Sequence, residues 1–185
     1  MTVTTLDPKT ALIVIDLQKG LVGFPTVHPI AGILVSATVL TAAFRRRGLP
    51  IVLVNVTGGA PGRTERSHSL ASLPPDWADL VPELNAQPDD LLITKKTWGA
   101  FTNTDLEARL KALGVTQVVL AGVATSIGVE STARHAYELG FNVTLAVDAM
   151  TDLNLEAHDN SVVRIFPRLG ETGSSREIVE LLDRA

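Results

Sequence analysis

Residues 118–134 read VVLAGVATSIGVESTAR, an apolar run that leads through a short turn into a helical pattern. Residues 118–121 are continuously apolar, which is typical of a strand that is covered on both faces. We predict a helix over about 127–140, because Gly140 supplies the stop signal of a helix C-terminus. A buried strand that runs directly into a helix is the repeating unit of an α/β fold.

The same alternation extends along the rest of the chain. Further strands are predicted at 11–15, 51–56, 91–93 and 143–147, and further helices at about 30–47, 103–113, 155–166 and 175–184. Gly48 and Gly114 end the first two of these helices. Repeated β-α-β units predict a parallel sheet with right-handed crossovers and helices on both faces, a three-layer α/β/α architecture.

Length and composition limit the classes of protein that the chain can belong to. The 185 residues predict one domain, 1–185, large enough to bury roughly 70% of its unfolded surface. The net charge of −4 leaves no basic surface, so we expect no nucleic-acid partner. Neither a membrane span nor a signal peptide is expected. The absence of cysteine excludes disulfides and agrees with a cytoplasmic location.

Polar groups follow three of the predicted strands at their carboxyl ends, where ligands bind in open parallel sheets. Asp16 ends the first strand, Lys95 follows the third, and residues 125–128 turn from the fourth strand into a helix. Taken singly, each has an ordinary explanation: a turn cap, a solvated pair of Lys95 with Lys96, and a plain connection. Together they predict a carboxylate, an ammonium and a helix N-terminus that converge on a small polar substrate.

These segments resemble the isochorismatase-like hydrolase superfamily, also called the cysteine hydrolases. The resemblance extends from about residue 11 to residue 182 and rests on DLQ at 16–18, WGAF at 98–101 and the segment 122–134. It implies a Rossmann-like, six-stranded parallel sheet in the order 3-2-1-4-5-6. In that order the first and fourth strands are neighbours, so the residues that follow them are expected to meet.

The resemblance also implies a catalytic site with one member missing. The family triad of Asp, Lys and Cys falls on Asp16, Lys95 and Gly128. We prefer Lys95 to Lys96 because it stands six residues before Phe101, as in the family. Because the chain has no cysteine, hydrolysis through a thioester is excluded.

The turn itself keeps features that need no cysteine. By resemblance, the Val123–Ala124 peptide is expected to be cis, and the backbone N–H groups of Ala124 and Gly128 are expected to form an oxyanion hole. Ser126 or Thr125 could replace the thiol as nucleophile. Ser126, however, stands two positions too early on the turn for its side chain to point at the site.

Three hypotheses of function follow. The first is a thiol-independent hydrolase of a small polar or anionic metabolite, with Asp16 as general acid or base and Lys95 holding a substrate carboxylate or orienting Asp16. Family isochorismatases, which also carry glycine at the nucleophile position, hydrolyse a vinyl ether in this way. However, Val56 and Ala124 stand where those enzymes have Gln and Tyr. The second is a catalytically silent ligand-binding protein, and the third is a structural or oligomerisation partner.

Several further residues are assigned to the surroundings of the site. Phe24, Trp98 and Thr125 are predicted to line a substrate pocket, with ordinary core packing as the alternative for the two aromatics. Gln18 is predicted to belong to the same pocket, as a brace rather than a reacting group. The irregular stretch 57–88 is either a lid or a plain surface excursion.

We predict no metal ion and no cofactor. The four histidines, at positions 28, 68, 135 and 158, lack the spacing of metal ligands and are expected to be surface or helix residues. Relatives in the family are commonly homodimers or homotetramers. A homo-oligomer is therefore expected, with its interface on residues 30–44 or on the last two helices.

Overall fold

Six parallel strands form one sheet at the centre of the protein. The structure is a computed structural model and describes residues 3–65 and 73–184. The strands are β1 Thr10–Ile15, β2 Ile51–Val56, β3 Leu91–Lys95, β4 Gln117–Val123, β5 Asn142–Thr151 and β6 Glu171–Gly173. Their order is β3-β2-β1-β4-β5-β6, and every pairing is parallel. The predicted fold class and strand order are confirmed.

Helices connect the strands on both faces of the sheet. They are α1 Lys19–Val22, α2 Ile30–Arg46, α3 Leu106–Ala112, α4 Glu130–Glu138, α5 Leu155–Asn160 and α6 Ser175–Arg184, with π-helical turns at Thr125–Val129 and Ser161–Ile165 and 3₁₀ turns at Pro82–Leu84 and Phe166–Arg168. Two predicted boundaries differ at the site. Lys95 is the last residue of β3 rather than the residue after it, and the helical turn after β4 begins at Thr125, two residues earlier than expected.

Two apolar cores lie on opposite faces of the sheet, as a three-layer fold requires. Alternate residues of each strand point to opposite faces. Ile13 and Ile15 belong to the core that includes α3 and α4, whereas Leu12 and Val14 belong to the core that includes α2 and α6. All of β1 and β4 is therefore buried, and any side chain that reaches solvent from these strands must do so at their ends.

Gly122 allows β4 to approach β1 closely just before the predicted site. Its φ is +119°, a conformation that side chains rarely adopt, and a Cβ at this position would lie 2.0 Å from the Ile15 carbonyl oxygen. The ends of the two strands are thus drawn together one residue before Asp16.

The second half of the stretch 57–88 packs against the segment that follows β1. The Val81 N–H donates to the Leu17 carbonyl, the Lys19 N–H to Asp79 and the Gly20 N–H to Trp77, at 2.9 to 3.1 Å. Residues 66–72 lie outside the described part of the chain. None of the helices within 3–65 and 73–184 is long and apolar enough to cross a membrane.

Candidate active site

Asp16 and Lys95 form a buried ion pair at the carboxyl end of the sheet. The Lys95 Nζ lies 2.7 Å from the Asp16 Oδ2, and the two residues are 2% and 4% exposed. Asp16 is fixed from the neighbouring strand, because its N–H donates to the Val54 carbonyl at 2.9 Å. Lys96 is exposed and its side chain lies close to Gly58. Of the two candidate lysines, it is Lys95 that faces Asp16.

The Lys95 ammonium has no donor left for a substrate. Besides the Asp16 carboxylate, it donates to the Trp98 carbonyl at 2.7 Å and to the Thr97 carbonyl at 3.3 Å. An ammonium carries three N–H bonds, and three acceptors surround this one. Of the two roles that the sequence left open for Lys95, the geometry therefore favours orienting Asp16 over holding a substrate carboxylate.

One carboxylate oxygen of Asp16 is left without a hydrogen bond. Its Oδ1 is buried and has no hydrogen-bond partner among the described residues. Burial raises the pKa of Asp16 from its ordinary value of 3.8 to about 6, and the opposing effects of Lys95, its charge and its hydrogen bond, are smaller. The opposition between burial and the lysine charge, which sequence alone leaves open, is thus decided in favour of burial.

Gly128 completes the convergence that the motifs predict. A Cβ at Gly128 would lie 3.3 Å from Asp16 Oδ2, 3.4 Å from Lys95 Nζ and 3.0 Å from Ile15 Cγ2. The first side-chain atom at this position would therefore touch both members of the ion pair. The peptide that precedes Ala124 is cis, as the resemblance implies.

Gln18 braces the site. The residue is fully buried. Its amide nitrogen donates to the carbonyls of Val56 and Trp77, both at 3.1 Å, and its Oε1 accepts from the Val56 N–H at 2.8 Å. Every polar atom of the side chain is bound to backbone, which is the geometry of a brace, and its place in the substrate pocket stays a prediction.

The other predicted pocket residues lie in different environments. Thr125 is fully buried and its hydroxyl is 2.9 Å from His158 Nδ1, so the hydroxyl does not face a ligand. Phe24 and Trp98 are 49% and 64% exposed. Core packing of these two aromatic side chains is therefore wrong, whereas their place in the wall of the substrate pocket stays a prediction.

Sequence reasoning missed Asp152 and the contact between two histidines, although His158 does lie on a helix, as expected. Asp152 is buried after β5 and accepts a hydrogen bond from the Ser126 N–H at 2.7 Å. His158 is nearly buried, and its ring lies 4.7 Å from that of His28, centroid to centroid. These contacts join residues more than 25 positions apart, which no local pattern records. The 152–154 run of Asp-Leu-Asn, with its turn-forming residues, was the one available signal.

Neither a cluster of metal ligands nor a cavity marks a second site in the described residues. No group of three or more metal-type ligands occurs within residues 3–65 and 73–184, and His68 lies outside those ranges. A cavity of about 620 Å³ lies over β2, β3 and residues 78–82, and one of about 440 Å³ lies at the opposite end of the sheet. Neither is lined by Asp16, Lys95 or Gly128. The buried ion pair, rather than cavity size, marks the candidate site.

A doubly wound parallel sheet with a buried Asp–Lys pair beside the turn that follows β4 defines the class of protein. The chain matches the isochorismatase domain over residues 10–177, and it belongs to the isochorismatase family.

Similar proteins cover nearly the whole chain. It is 39% identical over 179 residues to the uncharacterized isochorismatase family protein YwoC of Bacillus subtilis, with 93% of each chain covered. It is 31% identical to the ureidoacrylate amidohydrolase RutB of Stutzerimonas stutzeri, covering 76% of this chain and 69% of that one. An isochorismatase family protein from Burkholderia thailandensis has a similar structure, with a TM-score of 0.93, 38% identity, and coverage of 97% and 98%.

Proposed function

We propose that the protein hydrolyses a small polar or anionic metabolite without a thiol nucleophile. Asp16 acts as general acid or base and Lys95 orients it. The observation that carries this proposal is the buried ion pair of Asp16 and Lys95, whose charged atoms lie 2.7 Å apart. Residue 128 lies directly beside both members of this pair. Membership of a family of hydrolases supports the reaction class.

The protonation of Asp16 suits acid catalysis. With a pKa of about 6, about one Asp16 in ten carries a proton at pH 7, and an acid works best when its pKa lies near the working pH. Because Oδ2 is bound to Lys95, the proton resides on Oδ1, the oxygen without a partner. In a vinyl ether this proton would go to the enol carbon, and water would then add to the oxocarbenium ion and return a proton to the Asp16 carboxylate. The resulting hemiketal breaks its ether C–O bond to release the alcohol and the carbonyl product.

Anion binding falls to the backbone rather than to Lys95. The ammonium already has three acceptors, so a negatively charged substrate group needs other donors. We assign this role to the N–H groups of Ala124, which precedes the helical turn, and of Gly128, its fourth residue, because N–H groups in the first turn of a helix favour negative charge. No side chain is required for such donors, so the glycine does not remove them.

The second candidate is a silent ligand-binding protein. It is favoured by the glycine at position 128 and by the near-complete burial of the ion pair. In this case the same groups would hold a ligand without turning it over.

For either function we propose a cytoplasmic homo-oligomer, dimer or tetramer, with exposed Val35 and Val39 of α2 in the interface. Light scattering during size-exclusion chromatography measures the oligomeric state.

A substrate screen with isosteric variants tests the function. Purified protein is incubated with vinyl ethers, small amides including ureido compounds, and esters, alongside Asp16→Asn and Lys95→Met. Asp105→Asn, which neutralises an exposed carboxylate that is paired with Arg109, is the matched control. We expect turnover by the wild type and the control and its loss in Asp16→Asn.

The outcomes separate the two candidates. Turnover that persists in both site variants contradicts the proposed mechanism. A compound that raises the melting temperature of the wild type but not of Asp16→Asn, and that is never consumed, establishes the silent binding protein instead.

A further inference from the structure

Two side chains from outside the predicted motifs hold the first two residues of the turn that carries Gly128. Asp152, just after β5, binds the backbone of Ser126, and His158, on α5, binds the side chain of Thr125. All of these contacts are between buried or partly buried groups. Neither Asp152 nor His158 contacts the Asp16–Lys95 pair by any hydrogen bond in the described residues.

Asp152 ties the start of the turn to the end of β5. Its Oδ2 accepts from the Ser126 N–H at 2.7 Å, while its Oδ1 accepts from the N–H groups of Leu153 and Asn154 at 2.7 and 3.2 Å. The first N–H groups of a helix have no partner within the helix, so a carboxylate at this place supplies one. Because its other oxygen is held by its own backbone, the carboxylate cannot turn away without losing two further bonds.

His158 ties Thr125 to α5. The distance between Thr125 Oγ1 and His158 Nδ1 is 2.9 Å, and Thr125 is fully buried. The titratable groups around His158 are His28, Asp152 and Asp159. Burial, together with the neighbouring His28, lowers the pKa of His158, which keeps the ring neutral and able to accept or donate at Nδ1.

The far end of the turn is held as well. The Thr132 hydroxyl donates to the Gly128 carbonyl at 2.7 Å. Residue 128 is therefore held between contacts at both ends of a five-residue turn. Only one or two residues separate Ser126 and Thr125 from residue 128. A shift of Thr125 or Ser126 is therefore expected to shift the backbone of residue 128 as well.

We propose that Asp152 and His158 are positioning residues that set residue 128 against the Asp16–Lys95 pair. They act through the backbone of the turn and do not touch the substrate. The inference concerns the site of the proposed function but does not depend on turnover, so the two are tested separately.

A cysteine reporter measures the position of the turn. In Gly128→Cys the Cβ would lie 3.4 Å from the Lys95 Nζ, whose charge lowers the pKa of a thiol, and 3.3 Å from the Asp16 Oδ2, whose charge raises it. The position in the first helical turn after β4 favours the thiolate as well. The pH dependence of alkylation by iodoacetamide gives that pKa. We expect a midpoint below the ordinary value of about 8.5 for a free cysteine.

The contacts of Asp152 with Ser126 and of His158 with Thr125 are then removed in the Gly128→Cys background. We expect Thr125→Val and Asp152→Asn to lower the alkylation rate at pH 7 about tenfold and to move the midpoint towards the ordinary thiol value. Thr125→Ser, which keeps the hydroxyl, should stay within about twofold. Thr144→Val is the matched control, because Thr144 is equally buried and accepts a hydrogen bond from Gln117, at the amino end of β4 and away from the site.

The results distinguish this inference from the proposed function. An alkylation profile that Thr125→Val and Asp152→Asn leave unchanged overturns the inference, whatever the midpoint of Gly128→Cys alone. If Thr125→Val does not fold, His158→Gln in the same background gives the equivalent comparison, and an unchanged profile there overturns it too. The wild type could fail to hydrolyse any compound while the thiol pKa of Gly128→Cys still changes in Thr125→Val and Asp152→Asn. That result refutes the proposed function and leaves the positioning role intact.

Discussion

The protonation of Asp16 predicts that the wild type loses stability relative to Asp16→Asn as the pH rises. Burial raises the pKa of this carboxyl from 3.8 to about 6 in the folded protein. A carboxyl whose folded pKa is raised binds its proton more tightly in the folded state, so folding is favoured at low pH. That stability is present below pH 3.8 and is lost as the pH rises to about 6.

The size of the effect follows from the two pKa values. Each pH unit between them corresponds to about 1.4 kcal/mol, which gives about 3 kcal/mol for the full interval. Asp16→Asn cannot titrate, and other carboxyls are common to both proteins. The free energy of unfolding of the wild type, minus that of Asp16→Asn, should therefore fall by about 2.5 kcal/mol between pH 3.8, where the unfolded carboxyl is half ionised, and pH 7.

Urea unfolding at four or five pH values from 4 to 7.5 measures this difference. Only its pH dependence is interpreted, because the constant part also contains the ion pair that the substitution removes. Asp105→Asn, at an exposed carboxyl, should give a difference that changes little with pH. A wild type that gains stability relative to Asp16→Asn as the pH rises would mean that Lys95 dominates over burial, and the assignment of Asp16 as an acid would fail.

The remaining predictions use catalysis and packing. If the carboxyl acts as an acid, kcat/KM should decline above about pH 6 and this limb should vanish in Asp16→Asn; a rate that rises with pH indicates a base instead. Gly20→Ala should lower the free energy of unfolding by about 1–3 kcal/mol, because a Cβ there would lie 2.0 Å from the Trp77 ring, whereas Gly32→Ala, with open space around it, should be neutral or slightly stabilising in the same urea titration. Gln18→Glu should destabilise the protein by about 3 kcal/mol at pH 7, since the new carboxylate would face two carbonyl oxygens; thermal and urea unfolding check it, and an unchanged stability would contradict the bracing role.

Most strands could be predicted from the sequence because a buried strand is recognised by a local run of apolar residues. The predicted bounds of β2 agree with the structure and those of β1 differ by one residue, since each is a continuous apolar run that ends at a polar or turn residue. β6, in contrast, is the three-residue strand Glu171–Gly173, which has no apolar run and no periodicity. It was expected only because the family fold has six strands.

The candidate site was predictable in its members but not in its electrostatics. Asp16, Lys95 and Gly128 follow from motif position, and the strand order brings them together. All three donors of the Lys95 ammonium are used because the carbonyls of Thr97 and Trp98 accept two of them. The Asp16 Oδ1 lacks a hydrogen bond because no donor of the described residues lies close enough to it. Such properties belong to the folded environment, and no residue type or spacing encodes them.

The energetics of the ion pair bear on what the missing nucleophile means. An ionised Asp16 at neutral pH costs the folded protein stability, so the pair is not explained by a contribution to folding. A structural or oligomerisation partner would be served equally well by apolar residues in the same place. Strongly perturbed carboxyls beside a fixed charge are instead characteristic of sites that move protons. This supports the proposal that Gly128 marks a change in the chemistry of the site rather than its loss, and the pH dependence of Asp16 is the property that tests it.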